Sequence, residues 1–185
     1  LYKAVKENLN ELLKQLLIIS NKYHAITIEE KRKEYFYKIR ELYNEGITES
    51  SYQNLTKESI RRVTQLIFLN RTCFNGLYRV NSKGLFNVPF GKYKNPGIYN
   101  EKSLRGASQL LKNTIIECSS YQNLPKEFLV NSLIYFDPPY RPLSNTSSFT
   151  AYNKSNFNDY SQIDLANYYK KISENKNLFL ILSNS

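Results

Sequence analysis

The chain has 185 residues, a net charge of +10 from 26 Lys and Arg against 16 Asp and Glu, and 41% hydrophobic residues. That apolar share excludes wholesale disorder, and no run approaches the roughly 20 apolar residues that a membrane-spanning helix needs. Two cysteines, Cys73 and Cys118, form no CxxC pair, which argues against a disulfide scaffold or a structural zinc and fits a reducing cytoplasm.

The basic excess favours a polyanionic partner, because Lys and Arg release counterions condensed on phosphates. A lysine-rich proteome would give the same excess without any such partner. The N-terminus, Leu1-Tyr2-Lys3, carries no secretory signal and runs on as an amphipathic pattern. Leu1, Val5, Leu9, Leu12, Leu13, Leu16 and Leu17 recur at steps of three and four, which predicts a helix over 1–22. His24, the one histidine, reads as a surface residue near a helix end rather than as a base.

A second helix is predicted from Thr27, with Glu30 at capping-box spacing, a stripe of Tyr35, Phe36, Ile39, Leu42 and Tyr43, and Gly46 as its stop. A third is predicted from Thr56 to Cys73, with Ile60, Val63 and Ile67 inward and Phe74 a further candidate for the same face. The pattern then changes. Residues 78–93 hold Gly84 and Gly91 between short extended runs and read as a hairpin or a looped ribbon with its turn near Ser82-Lys83-Gly84. Phe86, Val88 and Phe90 are expected to alternate with solvent-facing neighbours. Asn95-Pro96-Gly97 breaks the chain, and a fourth helix is predicted over 100–112 with Leu104, Ala107, Leu110 and Leu111 inside.

From there the pattern is α/β. Strands are predicted at 114–118, at 132–136 (nearly all apolar, as for a strand buried on both faces) and at 178–182, with a helix over 160–173 bearing Leu165, Tyr169 and Ile172 on one side. Strand, helix, strand implies a parallel unit. The expected organisation is a helical domain over 1–98 with the hairpin at about 78–93, followed by an α/β domain over 99–185.

The most informative residues are Asp137-Pro138-Pro139-Tyr140, directly after the predicted strand 132–136. Ligands of open parallel sheets collect at the carboxyl ends of strands. Two prolines fix φ and remove two backbone donors, so the carbonyl oxygens of this loop stay free to accept. The Asp137 carboxylate adds an acceptor and Tyr140 an aromatic face. Such a set suits an exocyclic base amine, a poor nucleophile because its lone pair is delocalised into the ring. Acceptors on its N–H bonds turn that lone pair outward and stabilise the charge that grows on nitrogen. A base in a duplex cannot reach such a loop, so base flipping is implied. The bland alternative is a Pro-rich turn after a strand.

Asp137-Pro138-Pro139-Tyr140 resembles the catalytic motif of the Dam-like (D12 class) adenine-specific DNA N6-methyltransferases. A longer stretch, 68–81 (FLNRTCFNGLYRVN) followed by 84–93 (GLFNVPFGKY), is similar to that family's DNA-recognition hairpin. Pro142-Leu143-Ser144, Phe149-Thr150-Ala151-Tyr152 and Ser183-Asn184 resemble further family segments. The resemblance implies an α/β fold: a partial Rossmann-like methyltransferase sheet and a helical DNA-recognition domain bearing a β-hairpin. It implies S-adenosyl-L-methionine as methyl donor, no metal, double-stranded DNA as partner, no membrane, and GATC as a recognition site. A cognate restriction endonuclease acting on the same site, without a stable complex, is a further implied partner.

By that resemblance Asp137, Pro138, Pro139 and Tyr140 are catalytic, and Ser120, Tyr121 and Asp137 lie against the cofactor. Arg79 would read a guanine in the major groove, where a guanidinium fork matches O6 and N7. Leu77 and Pro89 would meet a thymine methyl, and Phe74 would press near the flipped base. Asn75, Asn81, Lys92 and Tyr93 complete the implied DNA-binding set. Lys92 stands where relatives often carry arginine, so a point charge replaces a fork.

One departure stands out. The family's Gly-rich cofactor loop has no counterpart, since the glycines at 46, 76, 84, 91, 97 and 106 are all isolated. The expectation is either a piece of an active enzyme or a truncated DNA-binding remnant, with poor cofactor binding by these 185 residues alone. Methyl transfer to an RNA base or a protein glutamine by a similar loop is a third reading, which the hairpin at 78–93 argues against.

Overall fold

The structure is a computed structural model that describes residues 1–45, 55–139 and 157–183. Within it the chain forms two compact units, Leu1–Ile116 and Glu117–Ser185. The division falls later than the 98/99 boundary expected from the sequence, because the helix over Glu101–Leu111 packs on the first helices of the chain.

The first unit is helical: α1 (Tyr2–Glu7), α2 (Leu9–His24), α3 (Glu29–Glu45), α4 (Lys57–Thr72) and α5 (Glu101–Leu111). The single helix expected over 1–22 is broken at Asn8, whose φ of −133° and ψ of 35° leave the helical region. Asn competes for backbone hydrogen bonds and so favours such breaks. Val5, Leu12, Leu13 and Leu16 of the predicted stripe are buried, while Leu1 and Leu17 are exposed. The core gathers Tyr23, Phe36, Phe68, Leu69 and Cys73 from three helices with Phe86, Val88 and Phe90 from the ribbon that follows. Full burial of Phe36, Phe68, Leu69, Phe86 or Val88 contributes about 1.5–3 kcal/mol each.

Helix α4 ends where the sequence placed it. Thr56 caps its N-terminus by accepting from the Ser59 N–H at 3.1 Å, and Cys73 leaves the helix in an extended conformation. At α5, Asn100 caps in the same way, accepting from the Ser103 N–H. Leu104, Ala107 and Leu111 pack on the core as expected, but Leu110 faces outward at 84% exposure.

The predicted strand at 114–118 does not form. That run has no neighbouring strand among the described residues, and extended backbone needs one to satisfy its N–H and C=O groups. Lys6 instead donates to the Thr114 carbonyl at 2.9 Å.

The second unit is a β-α-β arrangement: β1 (Ser132–Phe136), α6 (Asp159–Ser173) and β2 (Leu178–Leu182). The strands pair in parallel, from Ser132 opposite Leu178 to Phe136 opposite Leu182. Asn158 caps α6, and Leu165, Tyr169 and Ile172 pack on Ile134, Phe136, Leu178 and Leu180. The expectation that β1 is buried on both faces is corrected: α6 covers one face, while Leu133 and Tyr135 point away from it at 62% and 56% exposure. No helix among the described residues is long and apolar enough to cross a membrane.

Packing in the first unit leaves no room at Gly91. A Cβ there would lie 2.5 Å from the Cys73 carbonyl oxygen and 2.6 Å from the Tyr93 ring. Overpacking of this kind costs about 1–3 kcal/mol. Gly91→Ala is expected to lower the thermal midpoint of the first unit's unfolding by several degrees in a circular-dichroism melt, whereas Gly97→Ala, in open space, is expected to leave it within a degree or two.

Candidate active site and nucleic-acid interface

In the second unit the site begins where β1 ends. The Ser183 N–H, just past β2, donates to the Phe136 carbonyl at 2.9 Å, which is the last rung between the strands. Beyond it Pro138 and Pro139 have no N–H to offer, so the ladder stops. Asp137 is exposed, and its carboxylate has no ion-pair or hydrogen-bond partner among the described residues. The Pro138 carbonyl is likewise without a donor among them. Among the described residues, these two acceptors thus stand unclaimed at the carboxyl end of a parallel strand. Tyr140, the third member of the predicted set, lies outside the described residues, as do Pro142 to Ser144, Phe149 to Tyr152 and Asn184.

Ser120 and Tyr121 lie near that strand end. The Tyr121 ring meets Tyr168 edge-on at 5.3 Å, and Phe136 meets the same Tyr168 ring at 6.4 Å. Ser120 is exposed and caps a short 3-10 turn over Tyr121–Asn123, its Oγ accepting the Gln122 N–H. Tyr168 on α6 therefore ties the segment at 120–121 to the base of the Asp137 loop. Sequence reasoning assigned Tyr168 no part in the site, although its one-residue offset from the predicted inward Tyr169 places it on the adjoining face.

In the first unit, the segment after α4 doubles back on itself. The Phe74 N–H donates to the Pro89 carbonyl and the Gly91 N–H to the Thr72 carbonyl, both at 2.9 Å, and Cys73 bridges Phe90. Farther out, Val80 bridges Phe86, and the Gly84 N–H closes the turn on the Asn81 carbonyl at 2.8 Å. Of the two expected forms, the segment takes that of a looped antiparallel ribbon, held by isolated bridges rather than by continuous strands. Its turn falls at 81–84 and Gly84 has a φ of 76°, as a turn glycine permits. Phe86, Val88 and Phe90 point inward and are buried, while Pro89 and Lys92 face solvent.

Phe74, Asn75, Arg79, Asn81, Pro89, Lys92 and Tyr93 are all exposed along this segment. Leu77 is half-buried against the core. Arg79 is held by Asn87, its Nε donating to Oδ1 at 2.8 Å and its Nη2 to the Asn87 carbonyl at 3.4 Å. The outer Nη1–Nη2 edge stays free to make a fork. Asn75 and Lys92 take positive φ, 53° and 56°, which is uncommon outside glycine. Lys92 lies 3.8 Å from Glu29, an exposed pair that contributes little. A cavity of about 330 Å³ opens beside Asn75 and Tyr93, lined also by Asn70 and Arg71. Arg71 is exposed and without a partner among the described residues. Sequence reasoning passed over it, though its position at the end of α4, directly before the ribbon, was the available signal.

The whole chain, residues 1–185, matches the model of the D12 class N6 adenine-specific DNA methyltransferases. It is similar to the Type II methyltransferase M.MjaIII of Methanocaldococcus jannaschii, with 45% identity over 184 residues covering 100% of this chain and 61% of that protein. It also resembles the Type II methyltransferase M1.LlaDCHI of Lactococcus lactis subsp. cremoris, at 34% identity over 186 residues and 60% of that protein's length. A DNA adenine methylase of Serratia marcescens matches 71% of this chain at 37% identity, across 48% of its own length. The chain belongs to the D12 class of N6 adenine-specific DNA methyltransferases. It spans about three fifths of the length of the curated relatives that it matches along its whole length.

Asn81 is engaged within the ribbon itself. Its Oδ1 accepts the N–H groups of Lys83 and Leu85, both at 3.0 Å, so the side chain builds the ribbon's turn. Asn81→Ala is expected to destabilise the first unit by about 1 kcal/mol, the usual worth of such bonds, as read in a denaturant melt without DNA. A side chain engaged only by DNA would leave that melt unchanged.

Proposed function

We propose that this chain supplies the base-reading and amine-binding parts of a site-specific DNA adenine-N6 methyltransferase that acts on an adenine flipped out of duplex DNA. The observation that carries the reading is the pair of unclaimed acceptors after β1, the exposed Asp137 carboxylate and the Pro138 carbonyl. Membership of an adenine-specific DNA methyltransferase family supports it. The two acceptors bind the N–H bonds of the adenine amine, direct its lone pair away from the ring plane, and stabilise the charge that develops on nitrogen. Pro138 and Pro139 keep them preorganised, so little is lost to ordering when the base arrives. Tyr140 provides the stacking face for the flipped base.

S-adenosyl-L-methionine, when bound, supplies the electrophilic methyl group. The residues present suit one side of its pocket. Asp137 carries a free carboxylate, Tyr121 an aromatic ring anchored through Tyr168, and Ser120 an exposed hydroxyl. These three would hold it against the end of β1.

On the ribbon, Arg79 reads guanine with its free guanidinium edge. Leu77 and Pro89 meet a thymine methyl, and Phe74 presses beside the extruded base. Asn75, Asn81, Lys92 and Tyr93, together with Arg71, hold phosphates and flanking edges, and so set register rather than sequence. GATC is the site this reading favours. A restriction endonuclease cutting the same site, with no stable complex between the two proteins, belongs to the same reading, which places the protein in the cytoplasm.

Two outcomes test it in the full-length protein. Asp137→Ala is expected to reduce methyl transfer to GATC duplexes by at least about 10²–10³-fold, the scale of a lost oxyanion-type contact, while duplex affinity stays within about threefold. Near-normal transfer by that variant would remove the catalytic assignment, and tight, salt-sensitive binding by the unsubstituted protein with no transfer would make it a DNA-binding remnant. Arg79→Ala is expected to relax discrimination at one guanine by roughly 1–3 kcal/mol in competition between cognate and substituted duplexes. A uniform loss of affinity across all sequences would reduce Arg79 to a phosphate contact.

A further inference from the structure

The ribbon has little sheet pairing of its own, since its antiparallel pairing among the described residues rests on isolated bridges. Its backbone groups must find partners elsewhere. The Asn87 N–H donates to the Arg79 carbonyl at 3.1 Å, whereas both backbone groups of Phe86 and the Val88 carbonyl find theirs on α3. There Asn44 meets both polar groups of Phe86. Its Nδ2 donates to the Phe86 carbonyl at 3.1 Å, and its Oδ1 accepts the Phe86 N–H at 2.8 Å. A carboxamide carries the same donor and acceptor as a peptide, so Asn44 stands in for a neighbouring strand at this point. One turn earlier on α3, Arg40 lies over the Tyr37 ring at 4.5 Å and extends Nη1 to 3.5 Å from the Val88 carbonyl. Residue 87 sits between these two anchored positions, and its side chain and carbonyl are what hold Arg79.

We infer that Asn44 is a positioning residue for base discrimination: by clamping the Phe86 peptide it fixes Asn87, and through Asn87 it aims the Arg79 guanidinium. The inference rests on the reading that Arg79 meets a base. Two hydrogen bonds from one side chain fix both the position and the tilt of the peptide they grip. Without them water can satisfy the Phe86 groups, because Asn44 is only partly buried, so the ribbon stays folded but is free to shift. A shift of that kind spoils a two-point contact, which needs aligned N–H bonds, more than it weakens the attraction between a cation and DNA. Discrimination therefore falls further than affinity.

The test uses the full-length protein and kcat/KM on a GATC duplex and on duplexes altered at its guanine, for the unsubstituted protein, Asn44→Ala, Arg79→Ala and the double variant. Asn44→Ala is expected to lower the ratio of cognate to altered kcat/KM by roughly fivefold to tenfold, within the range of one base contact. Adding it to Arg79→Ala is expected to lower the ratio no further, because the two act through one contact. Additive losses in the double variant, or an equal fall on every duplex, overturn the inference. A normal effect of Arg79→Ala with none from Asn44→Ala overturns the inference alone, whereas no effect from Arg79→Ala overturns the base-reading role as well. Should the alanine variant fail to fold, Asn44→Asp replaces it, keeping the acceptor for the Phe86 N–H and losing the donor to its carbonyl. A lowered ratio is expected again, and an unchanged ratio overturns the clamp.

Discussion

A strand that runs straight into two prolines cannot continue its ladder. β1 makes its final rung through Phe136, to the Ser183 N–H, and one residue later Pro138 and Pro139 bring carbonyls but no N–H groups. Among the described residues, the Asp137 carboxylate and the Pro138 carbonyl are left unclaimed. Around them, α6 contributes packing rather than chemistry: Leu165, Tyr169 and Ile172 seat the helix on one face of the strand pair, and Tyr168 links the loop's base to Tyr121. The stiffness matters because acceptors aimed before reaction cost no reorganisation during it.

The first unit solves a different problem, that of displaying polar side chains on a narrow ribbon without a sheet to support it. It does so by sinking Phe86, Val88 and Phe90 into the helical core and by borrowing partners from helices. The close approach of Gly91 to Cys73 fixes one end, and the Asn44 carboxamide fixes the middle. What remains outside is a row of side chains with Arg79 held at its guanidinium by Asn87. Under the proposed function, that rigid backing and exposed guanidinium edge serve base reading, and the chemistry is assigned to the strand end.

Much of this was legible in the residues because local rules carried it. Thr56 and Cys73 bounded α4, Asn100 announced α5, and the inward alternation of residues 86, 88 and 90 followed from period-two patterning. The rest failed where local pattern and tertiary context diverge. The run at 114–118 is as β-prone as 132–136 but lacks a partner among the described residues, and no propensity can reveal that. Leu110 fits the α5 stripe by spacing, yet it lies beyond the edge of the face the core covers. The break at Asn8 was hidden by leucines that keep helical spacing across it. Of the site, the Asp137 loop could be argued from residue chemistry, whereas roles for Ser120, Tyr121 and the ribbon residues came from family likeness. The contacts of Asn44 bridge 42 positions in the chain, and no short-range signal marks them.

The most direct test of the acceptor mechanism separates hydrogen-bond acceptance from charge at residue 137. Single-turnover methyl transfer by the full-length Asp137→Asn protein, which keeps a neutral oxygen in the same place, should be slowed yet measurable and faster than with a side chain that has no acceptor. A rate indifferent to what occupies position 137 would contradict the account, because the amine would then be activated by some other group.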